Sequence, residues 1–259
     1  MITVVANLKG GVGKTSITTA LGGCFAADGE QTLLVDLDPQ GSLSRHFGFA
    51  REQLEPGTQN LFDDAPLALA DCQRASRFAQ LDVLPTASRL TMVERRAGVV
   101  KGLGLLLSRA LAQDKLHDQI VIDCAPQAGL LLVNALAAAD RIVLPVQTEY
   151  LALEGLKNIL RTLKMLEQSQ QRSRRYLIVP TMYDRRTRAS RLALEDLRRE
   201  FADHLWPGVI PVDTQFREAS RAHVPLPLFR PNSSGAQACR ELTEYLRGEW
   251  HHDDVRMVG

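Results

Sequence analysis

The chain has 259 residues, 45% of them hydrophobic and 24% charged, with a formal net charge of +1. That length admits one large α/β domain or two small ones, and the composition excludes a disordered chain, a collagen-like repeat and a disulfide-stapled mini-protein. No apolar run reaches the roughly 18–20 residues of a membrane-spanning helix; the longest candidates, around residues 129–139 and 99–107, are short or broken by Asn134 and Lys101.

Apolar periodicity and chain breakers predict the elements in order. Residues 2–7 read as a strand that ends in glycines. With a strand starting at residue 2, no secretion signal is expected. A helix follows over 15–27, a strand over 31–36, and a polar, glycine- and proline-bearing irregular stretch over 41–80. A strand over 81–85 leads into a long helix over 91–113. Next come a strand over 119–123, a helix over 130–139 and a strand over 141–146. A helix over 151–168 shows leucine and isoleucine at helical spacing. A strand over 176–181, an amphipathic helix over 187–204, a short strand over 209–212, a proline-rich stretch over 224–235 and a helix over 236–245 complete the pattern. Strands that are apolar throughout, alternating with helices, imply an α/β fold: a doubly wound, mostly parallel sheet with helices on both faces. No linker divides it. A single domain over 1–250 is expected, with a flexible tail over 251–259.

Four cysteines, Cys24, Cys72, Cys124 and Cys239, form no C-x-x-C pair. They read as reduced thiols in a cytoplasmic protein. The charge is unevenly spread. From Lys157 to Arg230, fifteen Lys and Arg face eight acids, an excess of seven positive charges. Such a basic third can bind a polyanion through one face, or simply be a solvated helical surface.

The sharpest chemical signal is Asn7-Leu-Lys-Gly-Gly-Val-Gly-Lys-Thr-Ser16, placed after a strand and before a helix. Glycines let backbone N–H groups converge on phosphate oxygens, and the helix N-terminus favours negative charge. Lys14 is placed to reach the β- and γ-phosphates and Thr15 to hold Mg2+, which makes the fold a P-loop NTPase type. The usual first glycine of the motif is replaced by Leu8, and an extra lysine, Lys9, follows it. Two aspartates at strand ends, Asp38 in Val35-Asp-Leu-Asp-Pro-Gln-Gly41 and Asp123 in Ile120-Val-Ile-Asp-Cys-Ala-Pro126, suit a hard cation bound to phosphate.

This K-G-G-x-G-K-T form resembles the deviant Walker A motif of the ParA/MinD family of ATPases. Leu33–Ser42 resembles its V-D-x-D-P-Q-G motif, and residues 130–136, 145–155 and 181–188 look like ParA/Soj-type partition or cargo-positioning ATPases. The resemblance implies ATP and Mg2+ as cofactors, with nucleotide held by Lys9, Gly10, Gly11, Val12, Gly13, Lys14, Thr15 and Ser16, and metal by Thr15, Asp38 and Asp123. It casts Lys9, Lys14 and Asp38 as catalytic, with Lys9 reaching a partner subunit's phosphates and Asp36 supporting Asp38. It places Pro211 and Asp213 against adenine. It implies an ATP-dependent homodimer that binds DNA non-specifically through Arg185, Arg186, Arg188, Arg217 and Arg221. A ParB-like or cargo-adaptor protein would stimulate slow hydrolysis, on the nucleoid in the cytoplasm and without a membrane. The cargo would be a plasmid or chromosome origin, or a protein assembly such as a chemotaxis array or carboxysome. The segment after Ile210-Pro211 departs from the family pattern: Gln215 stands where an arginine is usual, and Arg217 and Arg221 are gained. A Min-type membrane helix is not expected, because residues 241–254 are acidic and mixed. No operator-binding N-terminal extension is expected either. The alternative is a nucleotide switch of the same family that acts through protein contacts and has no DNA role.

Overall fold

The computed structural model describes residues 1–95, 103–150 and 152–252. The apolar runs become β1 (Ile2–Val5), β2 (Thr32–Leu37), β4 (Leu81–Leu84), β5 (Gln119–Cys124), β6 (Arg141–Gln147) and β7 (Arg175–Thr181), with a two-residue β3 (Arg74–Ala75) at one edge. Their order across the sheet is β3-β4-β2-β5-β1-β6-β7. All neighbours run parallel except β3, which is antiparallel to β4.

Side chains alternate between the two faces of each strand, so the sheet builds two cores. On one face Val4, Leu33, Val35, Ile120, Ile122 and Ile142 pack against α6 (Leu130–Ala138) and α7 (Ala152–Gln170). On the other, Val5, Leu34, Val121, Val143 and Val179 pack against α1 (Lys14–Ala27) and α11 (Ser234–His252). Burial on both faces explains why these strands read as continuous apolar runs. The doubly wound reading therefore holds. The C-terminal ends of β1, β2 and β5 lie side by side, and in such sheets ligands bind outside the carboxyl ends of strands.

The remaining helices are α8 (Arg188–Glu200) and the shorter α2 (Ser42–His46), α3 (Leu69–Cys72), α4 (Thr91–Arg95), α5 (Leu106–Leu111), α9 (Gln215–Arg221) and α10 (Leu226–Phe229). The stretches expected to be irregular hold α2, α3 and β3 (41–80) and α10 (224–235), and three further expectations change. The helix expected over 91–113 is present only as α4 and α5 in its described parts; its middle, 96–102, lies outside the described residues. The strand expected over 209–212 is a single bridge between Tyr183 and Pro211. Ile210 and Val212, on either side of Pro211, donate to Pro180 O and Tyr183 O, and the pairing ends there as the chain turns at Asp213 into α9. Finally, α11 continues through His252, two residues into the expected tail, and 253–259 lie outside the described residues. Among the described residues no helix is long and apolar enough to cross a membrane. All four cysteines are buried and free.

One tight contact supports the end of β4. A Cβ on Gly57 would overlap the backbone oxygens of Pro85 and Leu54, which cannot swing aside as a side chain could. Next to it, Thr58 N–H donates to Pro85 O at 2.8 Å, and Thr86 N–H donates to Ser44 Oγ at 3.0 Å. Gly57→Ala is expected to lower stability by about 1–3 kcal/mol, the usual cost of overpacking. Thermal or urea unfolding checks this, and an unchanged midpoint would remove the contact from the account of the fold.

Candidate functional site

The loop from β1 to α1 is held at both of its sides. Asn7 is buried; its Nδ2 donates to Pro145 O at 2.7 Å and its Oδ1 accepts from Lys9 N–H at 3.0 Å. Thr181 Oγ1 donates to Val12 O at 2.9 Å. Gly11 and Gly13 have φ of 77° and 93°, a region that side-chain-bearing residues avoid. Gly13 precedes α1 without any side-chain cap, so the first N–H groups of that helix stay free for an anion. A cleft of about 380 Å³ opens here, lined by Gly10, Gly13, Lys14, Thr15, Ser16 and Asp38, among others.

Lys14 is buried, and its ammonium donates to the loop's own Lys9 O at 3.0 Å. Burial lowers its pKa, while Asp123, Cys124 and Asp38 pull it back up. The three predicted carboxylates converge. Asp36 and Asp123 are fully buried and lie in register on β2 and β5. Asp36 accepts from Ser44 N–H (2.8 Å), Ser44 Oγ–H (2.6 Å) and Asp38 N–H (3.2 Å), so it shapes the loop that carries Asp38. Burial pushes Asp36 up to about 7. Burial, together with the nearby Asp36, also holds Asp123 well above the ordinary carboxylate range.

The donor set fits Mg2+. Asp123 Oδ2 accepts from Thr15 Oγ1 at 2.6 Å, while its Oδ1 is buried with no hydrogen-bond partner. An orphaned carboxylate oxygen beside a hydroxyl and a second carboxylate, Asp38, is a hard-oxygen environment. Among the described residues no three His, Cys, Asp or Glu could hold a metal by themselves. Phosphate oxygens would have to complete the shell, as is usual for Mg2+.

Lys9 does not line this cleft. It is half-exposed, and its ammonium pairs with Glu149 just before α7. Pro211 and Asp213 do not line the cleft either. Asp213 instead receives Gln215 N–H (2.8 Å) and Gly235 N–H (2.9 Å), tying the start of α9 to the start of α11. Burial pushes the Asp213 carboxyl up, but these bonds, with help from Ser233 and Ser234, leave it below its usual pKa. The predicted arginines fall in two places. Arg185 and Arg186 follow β7, and Arg188 opens α8. Arg186 is committed to Asp184 by two bonds of 2.9 Å, which pull Asp184 down to about 2. Arg217 and Arg221 are exposed on one face of α9, and neither side chain makes an ion pair or hydrogen bond among the described residues.

Sequence reasoning missed Ser44, Glu149 and His46. The first is visible in retrospect as a hydroxyl eight residues after Asp36. Glu149 lies 140 residues from Lys9, and His46 carries no motif; neither leaves a local signal.

A glycine loop between a parallel strand and a helix, with a buried lysine, a threonine and strand-end aspartates, defines a P-loop nucleotide-binding protein. The AAA domain family profile matches residues 1–175. The sporulation initiation inhibitor protein Soj of Bacillus subtilis is 36% identical over 246 residues, 94% of this chain and 96% of Soj. The chromosome partitioning protein ParA of Caulobacter vibrioides is 35% identical, over 93% of this chain and 91% of ParA. A crystal structure of cobyrinic acid a,c-diamide synthase from Mycobacterium smegmatis, with bound ADP and magnesium, superposes with a TM-score of 0.82 at 30% identity, covering 96% of this chain and 95% of that one. The chain belongs to the ParA/Soj family of P-loop ATPases.

The buried Asp36 gives a pH signature. Its carboxyl ionises near 4 in the unfolded chain and near 7 in the fold. Unfolding therefore releases a proton in that window, and stability present below about pH 4 is lost as pH rises through 7. Without added divalent cation, thermal unfolding from pH 4.5 to 8 should show this decline. Asp36→Asn should make it shallower, the remainder coming from Asp123, and an identical slope in both proteins would refute the assignment.

Proposed function

We propose that the chain is an ATP-dependent dimerising ATPase that binds DNA without sequence preference and positions or segregates a cargo over the nucleoid. One observation carries the reading: two lysines of one loop face different places. Lys14 lies in the cleft, while Lys9 sits outside it against Glu149. A lysine so placed adds nothing to phosphate binding in its own subunit. Across a dimer interface it meets the partner's nucleotide. A half-exposed ion pair is worth about 0–1 kcal/mol, so releasing Lys9 from Glu149 costs little.

In this reading the N–H groups of Gly10–Thr15 cradle the phosphates and Lys14 neutralises the β/γ charge. Thr15, Asp38 and Asp123 hold Mg2+, which when bound supplies charge neutralisation at the phosphoryl oxygens. Asp38 orients the attacking water, and Asp36 with Ser44 holds Asp38 in place. Lys9 from the partner stabilises charge on the transferring phosphoryl group. Pro211 and Asp213 border the adenine end. The relatives support this assignment: the Mycobacterium smegmatis protein was solved with ADP and magnesium, and ParA is named for chromosome partitioning. Soj and ParA are the more identical relatives, so the partition role is preferred over the chemistry in the Mycobacterium protein's name. A ParB-like or cargo-adaptor protein is the expected stimulator.

Lys9→Ala tests the core of the proposal. It should bind ATP within about twofold of wild type, since Lys14 remains, yet lose both dimerisation and at least about 90% of turnover. Normal dimers in size-exclusion chromatography with ATP, together with normal turnover, would defeat the cross-subunit role.

The DNA role has its own test. Arg217→Glu with Arg221→Glu should keep ATP binding and basal hydrolysis but weaken ATP-dependent DNA binding by at least about tenfold at low salt. The loss should be equal for unrelated duplexes, because phosphate contacts carry no base information. If wild-type protein binds no DNA with ATP, ADP or neither, the reading shifts to a nucleotide switch that acts through protein contacts alone.

A further inference from the structure

Two helix ends meet beside the nucleotide cleft. Helix α2 ends at His46, and α9 ends at Arg221, after which the chain passes through Ala222 and His223. His223 takes a left-handed φ of 57°, a conformation that is rare for a residue with a side chain. Its Nδ1 lies 3.2 Å from Arg45 O and 3.1 Å from His46 O. Carbonyl oxygens only accept, so Nδ1 carries the proton. The same ring crowds Gly48, where an added Cβ would lie 3.2 Å away. Arg77 Nη2 donates to Ala222 O at 2.8 Å and His223 O at 2.9 Å. These bonds seat the end of α9 on the end of α2. As a result Ser220 of α9 and His46 of α2 line the same cleft as Gly13, Lys14 and Ser16.

His46 lies one helical turn after Ser42, which also lines the cleft. Its residue is only 7% exposed, and its Nε2 is buried without a hydrogen-bond partner. Burial lowers its pKa to about 4, against an opposing pull from the Val224 backbone and with His223 adding to the depression. The ring is therefore neutral at physiological pH, and one nitrogen offers a lone pair. Buried polar atoms in folded proteins are normally satisfied, so this one calls for a partner. Phosphate oxygens cannot be that partner, because they too are acceptors. A hydroxyl can. When the phosphates occupy the loop of Gly10–Ser16, the group bonded directly to them is the ribose.

We propose that His46, with Ser220 in the same cleft, forms a ribose-binding subsite in which the neutral imidazole accepts a hydrogen bond from a ribose hydroxyl and so selects ribonucleotides over deoxyribonucleotides. The proposal rests on the nucleotide-binding reading of the cleft and assigns its sugar contact. His46 acts here as a specificity residue, with no part in phosphoryl transfer.

The test is binding of ATP, 2′-deoxy-ATP and 3′-deoxy-ATP to the full chain at one Mg2+ concentration, by titration calorimetry. Wild type should bind one deoxy form about three- to tenfold more weakly than ATP, the worth of one hydrogen bond. His46→Phe keeps an aromatic ring but no acceptor; it should bind ATP only as well as wild type binds that deoxy form, and should no longer discriminate. His46→Gln keeps an acceptor and should retain part of the preference. Lys14→Ala should weaken all three nucleotides equally. Equal affinity of wild type for all three, or wild-type discrimination in His46→Phe, overturns the subsite while leaving the phosphate loop intact. Failure of wild type to bind any of the three overturns the nucleotide reading itself, and the subsite with it.

Discussion

Two carboxylates at neighbouring strand ends set the terms for this site. Asp36 and Asp123 lie in register on β2 and β5, both fully buried. Two negative charges that close in a dry interior repel strongly, and each also loses hydration. The chain answers in two ways. It gives Asp36 three donors, two of them from Ser44. It gives Asp123 the Thr15 hydroxyl and a nearby buried ammonium, Lys14. Even so, both carboxyls are held above their ordinary range. A divalent cation held by Asp123, with Asp38 and Thr15, would supply the positive charge that Lys14 alone does not. The placement of the loop, of α1 and of the β2–α2 connection follows from this need.

The parts of the site built by short-range geometry were legible in the sequence. The glycine loop, Lys14, Thr15 and the strand-end aspartates announce themselves because each sits where a strand stops or a helix starts. Strands 32–37 and 119–124 were visible because burial on both faces leaves an unbroken apolar run. Elsewhere the same logic misled. Residues 209–212 carry strand-like apolarity, but a single bridge forms before the chain turns at Asp213 into α9. Arg186 reads with Arg185 and Arg188 as a DNA-contacting loop, yet Asp184, two residues earlier, holds it in a bidentate pair. The partners of Lys9 and His46 were invisible, because Glu149 and the end of α9 reach them only through tertiary packing.

The site also draws on the third of the chain beyond the profile-matched residues. Thr181 at the end of β7 fixes Val12 of the loop, and Ser220 closes part of the cleft. Glu149 joins the loop to the start of α7 through Lys9. That half-exposed pair is weak enough to exchange. The Asn7 and Thr181 bonds, by contrast, are buried and costly to break. The loop's backbone is thus rigid while its extra lysine is free to change partners. That combination suits the cross-subunit role proposed for Lys9.

The connection between the nucleotide end and the arginine face follows from bonds already described. Asp38 begins the turn that leads into α2, and Asp36 pins that turn through Ser44 inside α2. The last carbonyls of α2, on Arg45 and His46, hold His223, and Arg77 holds the carbonyls of Ala222 and His223 from the other side. Arg217 and Arg221 project from the seven-residue helix that ends there. A helix this short has little stability of its own, so its position is set by what clamps its ends. Asp213 clamps the first turn and His223 with Arg77 the last. The α2–α9 junction thus joins the Asp38 turn to the helix that carries the two exposed arginines through the His223 bonds.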